Sequence, residues 1–200
     1  GAPLDQPDHA LRACRTALDM LKELKKLQIK WEEEGRPVLD IGIGINTGEM
    51  VVGNMGSQMR FDYTVMGDSV NLASRLESIN KEYGTNIIVS EYTYETVKDV
   101  LCCRELDSLR VKGKTLPVKI YELLGEKTDA GDCEELINRF DGALEKYKKS
   151  CWDEAIASCR QVLEIRPDDL PAQLYIRRCE DLKANPPPTP WDGTFTMTKK

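Results

Sequence analysis

The sequence is almost without histidine. His9 is the only one among 200 residues. That leaves no room for a multi-histidine zinc site and weighs against a Ser-His-Asp triad. His9 itself is expected on the surface, in the first turn of a helix. No C-x-x-C occurs among the seven cysteines, at positions 14, 102, 103, 133, 151, 159 and 179. Their odd number and their helical surroundings point to reduced, largely buried thiols. No apolar run approaches the length of a membrane span, and no signal peptide is visible. A basic excess is also missing. The 28 Lys and Arg against 34 Asp and Glu give a net charge of −6. A nucleic-acid partner is therefore disfavoured, and any anion site must be a local basic pocket. Two glycine patterns fail on inspection. Gly42-Ile43-Gly44 lacks the third glycine of a dinucleotide fingerprint, because position 47 is Thr, and no helix follows. Gly48 and Gly53 have P-loop spacing, but Asn54-Met55 stand where Lys and Ser/Thr are required.

What remains is an ordinary soluble composition, 40% apolar and 31% charged, long enough for one domain plus something small. Residues 8–34 predict a helix, with Asp8 as N-cap, an apolar stripe of Leu11, Cys14, Leu18, Leu21 and Leu24, and Gly35 as the stop. "VLDIGIGI", 38–45, and "MVVGNM", 50–55, predict a strand pair joined as a hairpin through Asn46-Thr47-Gly48-Glu49. "FDYTVM", 61–66, alternates and predicts another strand. A helix over 70–83 follows, capped by Asp68 or Ser69 and ended by Gly84. "NIIV", 86–89, predicts a short buried strand, and Ser90 caps a helix over about 91–100. Residues 102–125 predict a long hairpin turning near Gly113-Lys114. The order of elements is α+β, with helices over an antiparallel or mixed sheet.

Composition changes near residue 126. Residues 126–132 are polar and predict a linker, and 133–183 are helical in pattern. Ala143, Ala155 and Pro167 fall at twelve-residue intervals, with Tyr147 and Trp152 between them. That spacing resembles one tetratricopeptide unit, although the motif's Trp, Gly and Phe are not matched cleanly. A single repeat cannot bury its own face, so the segment is expected to pack on the preceding domain or on a protein partner. Residues 184–200 predict a Pro-rich extended tail. The chain opens on "GAPLDQPDHA" with no Met, which suggests the interior of a longer protein.

"YTVMGDSVNLASRLE", 63–77, carries the chemistry. A strand breaks at Gly67-Asp68, and the helix after it bears Asn71 and Arg75, four residues apart and so on one face. Together with "INTGEMVVGNMGS" and "LRVKGKTLPVKIYEL", this segment resembles the class III adenylate and guanylate cyclases. The three motifs match in kind and order over about residues 1–125. The resemblance implies a ferredoxin-like nucleotidyl cyclase sheet with covering helices, its N-terminal half absent, plus a short α-helical C-terminal hairpin like the tails of some bacterial multidomain cyclases. It implies conversion of ATP to cyclic AMP and pyrophosphate in signal transduction. Arg75 would meet the charge that builds on the α-phosphate, and Asn71 would hold the ribose and orient its 3′-oxygen. Lys112 would neutralise the outgoing phosphates, with Lys114 a weaker candidate. Thr64 would face the purine, where several vertebrate adenylate cyclases carry Asp and guanylate cyclases a small residue such as Cys. A hydroxyl both donates and accepts, so GTP stays open beside ATP.

The same residues have plainer explanations: an Arg75 ion pair with Glu77 or Glu82, Asn71 as a helix-start residue, Thr64 as a strand former and Lys112 as a surface lysine. The family's two divalent metals, Mg²⁺ or Mn²⁺, are held by aspartates that the resemblance puts upstream of this sequence. Asp5, Asp8, Asp40, Asp62 and Asp68 do not lie in the matching context. The implied partner is a second cyclase domain, as a homodimer, with this chain giving the Asn/Arg half of a shared site and inactive by itself. A non-catalytic cyclase-like dimerisation or nucleotide-sensing module is the alternative. The implied location is cytoplasmic, with any membrane anchor of the parent protein outside this chain.

Overall fold

A computed structural model of the chain describes residues 1, 4–57, 60–110, 117–129, 133–187, 191 and 193. Helix α1 spans His9–Glu33, and β1 is only Ile43–Ile45. Strands β2, Val51–Ser57, and β3, Arg60–Met66, lead into α2, Asp68–Tyr83. Strand β4, Ile87–Ser90, α3, Glu91–Val97, β5, Leu101–Leu109, and β6, Val118–Glu126, follow. Helices α4, Cys133–Lys148, α5, Trp152–Ile165, and α6, Leu170–Ala184, come after them.

Four strands form one mixed sheet in the order β1-β4-β6-β5. Strand β1 is parallel to β4, and the other two pairings are antiparallel. The class is α+β, as expected. Alternation along β4 divides the core. Ile87 and Val89 face α1 and α3 together with Cys14, Val97, Leu101 and Tyr121. Ile88 faces the other way, onto Leu72, Leu76, Ile79 and Tyr83 of α2. The apolar residues of α4, α5 and α6 join that second cluster. The helical segment after residue 133 therefore shares one core with α2 and does not hang off the domain. Each fully buried Leu or Ile contributes about 1.5–3 kcal/mol.

Several expectations need correction. Residues 38–45 do not pair with 50–55. The hairpin is β2 with β3, in register from Val51 opposite Met66 to Ser57 opposite Arg60. Strand β1 instead takes β4 as its parallel neighbour, since the side chains of residues 46 and 47 bond to Ser90 and Thr93 at the end of β4 and the start of α3. Helix α2 starts earlier than predicted, with Gly67 as its N-cap at φ 148° and neither Asp68 nor Ser69 capping it. The Asp8 carboxylate sits at the N-cap of α1 but accepts from Arg12 Nε at 2.8 Å and caps no backbone N–H. Helix α3 stops at Val97, and Ser90 caps it by accepting from Thr93 N. Within the predicted linker, residue 126 ends β6 and Lys127–Asp129 form a 3-10 turn.

Among the described residues, the C-terminal segment holds three helices where a hairpin was expected. Ala143 and Ala155 are buried in α4 and α5, and Pro167 follows the end of α5. The break between α5 and α6 comes from Pro167 and from Asp169, whose carboxylate caps α6 by accepting from Ala172 N at 2.9 Å. Trp191, in the Pro-rich stretch, packs edge-on to Tyr147 and Trp152. All seven cysteines are free. Burial pushes the thiols of Cys14 and Cys179 up to about 11 and that of Cys159 up to about 12. They behave as small apolar core residues.

The glycines that mimic a dinucleotide fingerprint, Gly42 and Gly44, have a packing role. Strand β1 lies backbone against backbone on α2. A methyl group at Gly44 would collide with the Ala73 carbonyl oxygen and the Glu77 amide, and would stand 2.9 Å from the Leu76 carbonyl carbon. At Gly42 it would stand 2.9 Å from the Glu77 carbonyl oxygen. Neither obstacle is a side chain that can swing aside. Gly44→Ala is expected to cost about 1–3 kcal/mol by overpacking, read as a lower urea midpoint. An unchanged midpoint would show that α2 can leave β1 at no cost.

Candidate nucleotide site on helix α2

The site is built where α2 begins. Its first turn is fixed from below by Asn46, just past β1. The Asn46 carboxamide donates through Nδ2 to the Ser69 carbonyl at 2.9 Å, and its Oδ1 accepts from Ser90 Oγ at 2.6 Å. One side chain thus joins the end of β1, the start of α2 and the cap of α3. Beside it, the Thr47 and Thr93 hydroxyls lie 3.0 Å apart. Further along α2, the buried Asn80 donates to the Ile43 carbonyl at 3.1 Å and accepts from Thr85 Oγ1 at 3.0 Å. Helix and strand are pinned at both ends of their contact.

Asn71 and Arg75 stand on successive turns of α2, about 6 Å apart along the axis, and both are exposed. Among the described residues, neither side chain has a hydrogen-bond or ion-pair partner, and Glu77 accepts from Ser78 rather than pairing with Arg75. Thr64 is carried by the strand that leads into α2. It lies on β3 opposite Gly53, four residues before α2 begins, and is exposed. Lys112 and Lys114 lie outside the described residues.

The hairpin that leads into α2 exposes apolar side chains. The β2–β3 hairpin is a sheet of its own, not bonded to the four-stranded sheet. Val51 and Met66, opposite each other in register, are 65% and 57% exposed, and Tyr63 is 62% exposed. Val65, Met50 and Leu39 are exposed as well. An apolar hairpin bared on both faces marks a contact surface. The outer edge of β1 has no strand beside it among the described residues.

Divalent metals are the cofactor the motif implies. Among the described residues, no group of three or more His, Cys, Asp and Glu converges so as to hold a metal ion. The described residues do not fit a self-contained metal site, and no step below runs through one. Among the described residues, no helix is long and apolar enough to cross a membrane.

Comparison with known proteins decides the family. The profile of the adenylate and guanylate cyclase catalytic domain matches residues 1–125. The chain belongs to that family. The terminal-differentiation-specific adenylate cyclase of Dictyostelium discoideum is 34% identical over 180 residues, covering 88% of this chain and 8% of the relative. A match that long runs past residue 125 into the helical segment. Among solved structures, the adenylyl cyclase CyaB of P. aeruginosa is 39% identical at a TM-score of 0.56, covering 62% of this chain and 64% of that one. The guanylyl cyclase Cya2 is 39% identical at a TM-score of 0.56, covering 63% of each chain. The cyclase chain thus spans a small part of its curated relative and just under two thirds of these solved chains.

The sequence singles out Asn71, Arg75 and Thr64 as candidates, whereas Asn46 reads there only as turn chemistry. The signal was faint. An Asn after a short strand reads as a turn residue, and only the fold shows three elements meeting on its carboxamide. Asn46→Ala is expected to cost about 1–3 kcal/mol, because it strands the Ser69 carbonyl and the Ser90 hydroxyl. Asn46→Asp should do at least as much harm at neutral pH, since a carboxylate then faces that carbonyl. Protonating the new carboxyl restores a donor, so this variant's deficit should shrink as pH falls through the carboxylate range. Denaturant melts at several pH values test the order, and a pH-independent deficit would contradict it.

Proposed function

We propose that this chain supplies the ribose- and phosphate-binding half of a purine nucleotide cyclase site, converting ATP to cyclic AMP and pyrophosphate. The observation that carries the proposal is the Asn71/Arg75 pair, exposed on successive turns of a tightly fixed helix and without partners among the described residues. A guanidinium aimed at the α-phosphate meets the negative charge that develops as the ribose 3′-oxygen attacks and pyrophosphate departs. Asn71, one turn away, orients that oxygen, so both groups serve one nucleotide from one face. Thr64 offers a hydroxyl to the base edge. Lys112 keeps its proposed role at the outgoing phosphates on the strength of its motif alone.

The bared apolar hairpin and the open edge of β1 favour a second cyclase domain as partner, as in a homodimer that shares the site. Mg²⁺ or Mn²⁺ would come with residues beyond those described, so the chain by itself is expected to be inactive. ATP is favoured by the adenylate cyclase that aligns over most of this chain. GTP is the second reading, because an adenylyl and a guanylyl cyclase match at the same identity and TM-score. The Ala143, Ala155 and Pro167 spacing supports a tetratricopeptide-like origin for 133–183, with a protein partner for that segment as its consequence. The cytoplasm is the proposed location.

Complementation tests the proposal. The chain is mixed with a complete homologous cyclase domain in which the residues aligned with Asn71 and Arg75 are replaced by alanine, and both cyclic nucleotides are assayed with Mn²⁺. Product is expected only in the mixture, with cyclic AMP dominant. Arg75→Ala in this chain should lower the rate by about 10²-fold or more. A folded, associated mixture without product would overturn the assignment, and dominant cyclic GMP would reverse the choice of base.

A further inference from the structure

Helix α2 is held at its start by β1 and Asn46. Its far end is held by the helical segment. Tyr83, in the last turn of α2, is fully buried, and its hydroxyl donates to Asp107 Oδ2 at 2.6 Å. Arg178 of α6 donates to the same oxygen through Nη1 at 2.7 Å, and its Nη2 reaches the Tyr83 hydroxyl at 3.3 Å. The guanidinium also lies over the Tyr83 ring, 5.2 Å from its centroid. Site helix, sheet and α6 thus meet on a single carboxylate oxygen. Next to it, Gly84 ends α2 at φ 65°, and a methyl group there would stand 3.0 Å from Leu170 Cγ at the start of α6. Helix α6 therefore touches the end of α2 at two points, each beyond residue 125, where the cyclase profile stops.

We propose that α6 braces the site helix, and that Tyr83, Asp107 and Arg178 are positioning residues which set where Asn71 and Arg75 sit. A helix transmits a shift of one end to the other as a rod, and Tyr83 lies about 12 Å along the axis from Arg75. A buried triad with fixed hydrogen bonds permits one arrangement, whereas apolar contacts alone allow sliding. Its effect on activity rests on the proposed function above. Its hold on α2 does not.

The structure supplies its own control. Tyr175 of α6 also has a buried hydroxyl, which donates to the Leu106 carbonyl at 2.6 Å and so hydrogen-bonds α6 to β5 rather than to α2. Tyr83→Phe and Tyr175→Phe each delete one buried hydroxyl and keep the ring. In the full chain, both should lower the denaturation midpoint. Only Tyr83→Phe should speed amide hydrogen exchange at residues 71–78, by about tenfold. In the complementation mixture it should lower kcat about tenfold with KM changed less than about twofold. Tyr175→Phe should leave exchange in α2 at the wild-type rate. Equal exchange in α2 for the two variants, or no change for Tyr83→Phe, overturns the brace. If the unaltered chain yields no product in a folded, associated mixture, the catalytic reading falls and the exchange comparison still decides the brace.

Discussion

The contact on which this structure depends is the backbone-to-backbone approach of β1 to α2. It is possible only because residues 42 and 44 lack side chains. A strand of three residues buries little by itself. It is held by its parallel pairing to β4 on one side and by the helix on the other. The helix in turn takes its place from that strand, through Asn46 at its start and Asn80 near its end. Removing either partner of a buried amide–carbonyl bond leaves the other without water or protein to satisfy it. The helix that carries Asn71 and Arg75 is therefore located by polar bonds as well as by its apolar face. Apolar contact alone would fix its depth and leave its rotation and sliding free.

The far side of that helix meets the C-terminal segment, and the join is polar as well as apolar. Arg104, wholly buried on β5, pairs with Asp169 and Glu122 and lies 4.5 Å from the centre of the Phe140 ring. Arg178 pairs with Asp107. Desolvating such ions costs several kcal/mol each, and good geometry roughly offsets it. Their contribution is specificity of arrangement more than net stability. Apolar residues of α4 to α6 would coat the sheet in several registers, whereas two arginines with fixed carboxylates accept one. Burial and the neighbouring Asp107 carboxylate hold the Tyr83 phenol well above its usual range, so it remains a neutral donor at physiological pH.

Much of this was legible in the sequence, for reasons that can be named. The long helices α1 and α2 announced themselves by apolar periodicity and by Gly35 and Gly84. Strands β5 and β6 match the hairpin that the sequence predicts over 102–125. The Asn71/Arg75 spacing showed in four residues. What failed was pairing. Local pattern says that 43–45 and 51–57 are strands but does not say which neighbour each takes. The choice follows from long-range bonds of Asn46 and Thr47 to residues more than 40 positions away. The boundary between α5 and α6 was blurred because α6 carries polar residues, Arg178 among them, on its buried side. That is where the polar seam lies, and a hydrophobic stripe cannot report it. The glycines were noticed for the wrong motif and matter for a different reason.

The proposed site also explains why Arg75 should be left without a carboxylate neighbour. A guanidinium already paired would have to break that pair before meeting a phosphate, and part of the binding energy would be lost to the exchange. Left in solvent on a helix fixed at both ends, it gives up only its hydration when nucleotide arrives. The overall charge of −6 sharpens the point. Carboxylates outnumber cations, so a free arginine beside the exposed hairpin is not the default outcome of composition. The hairpin that leads into its helix exposes Val51, Tyr63 and Met66. Covering those apolar groups with a second domain would lower the local dielectric around the guanidinium and strengthen its attraction for a developing negative charge. On this argument, association and transition-state stabilisation are one event. On the proposed reading, the apolar surface left bare in the single chain becomes a wall of the site.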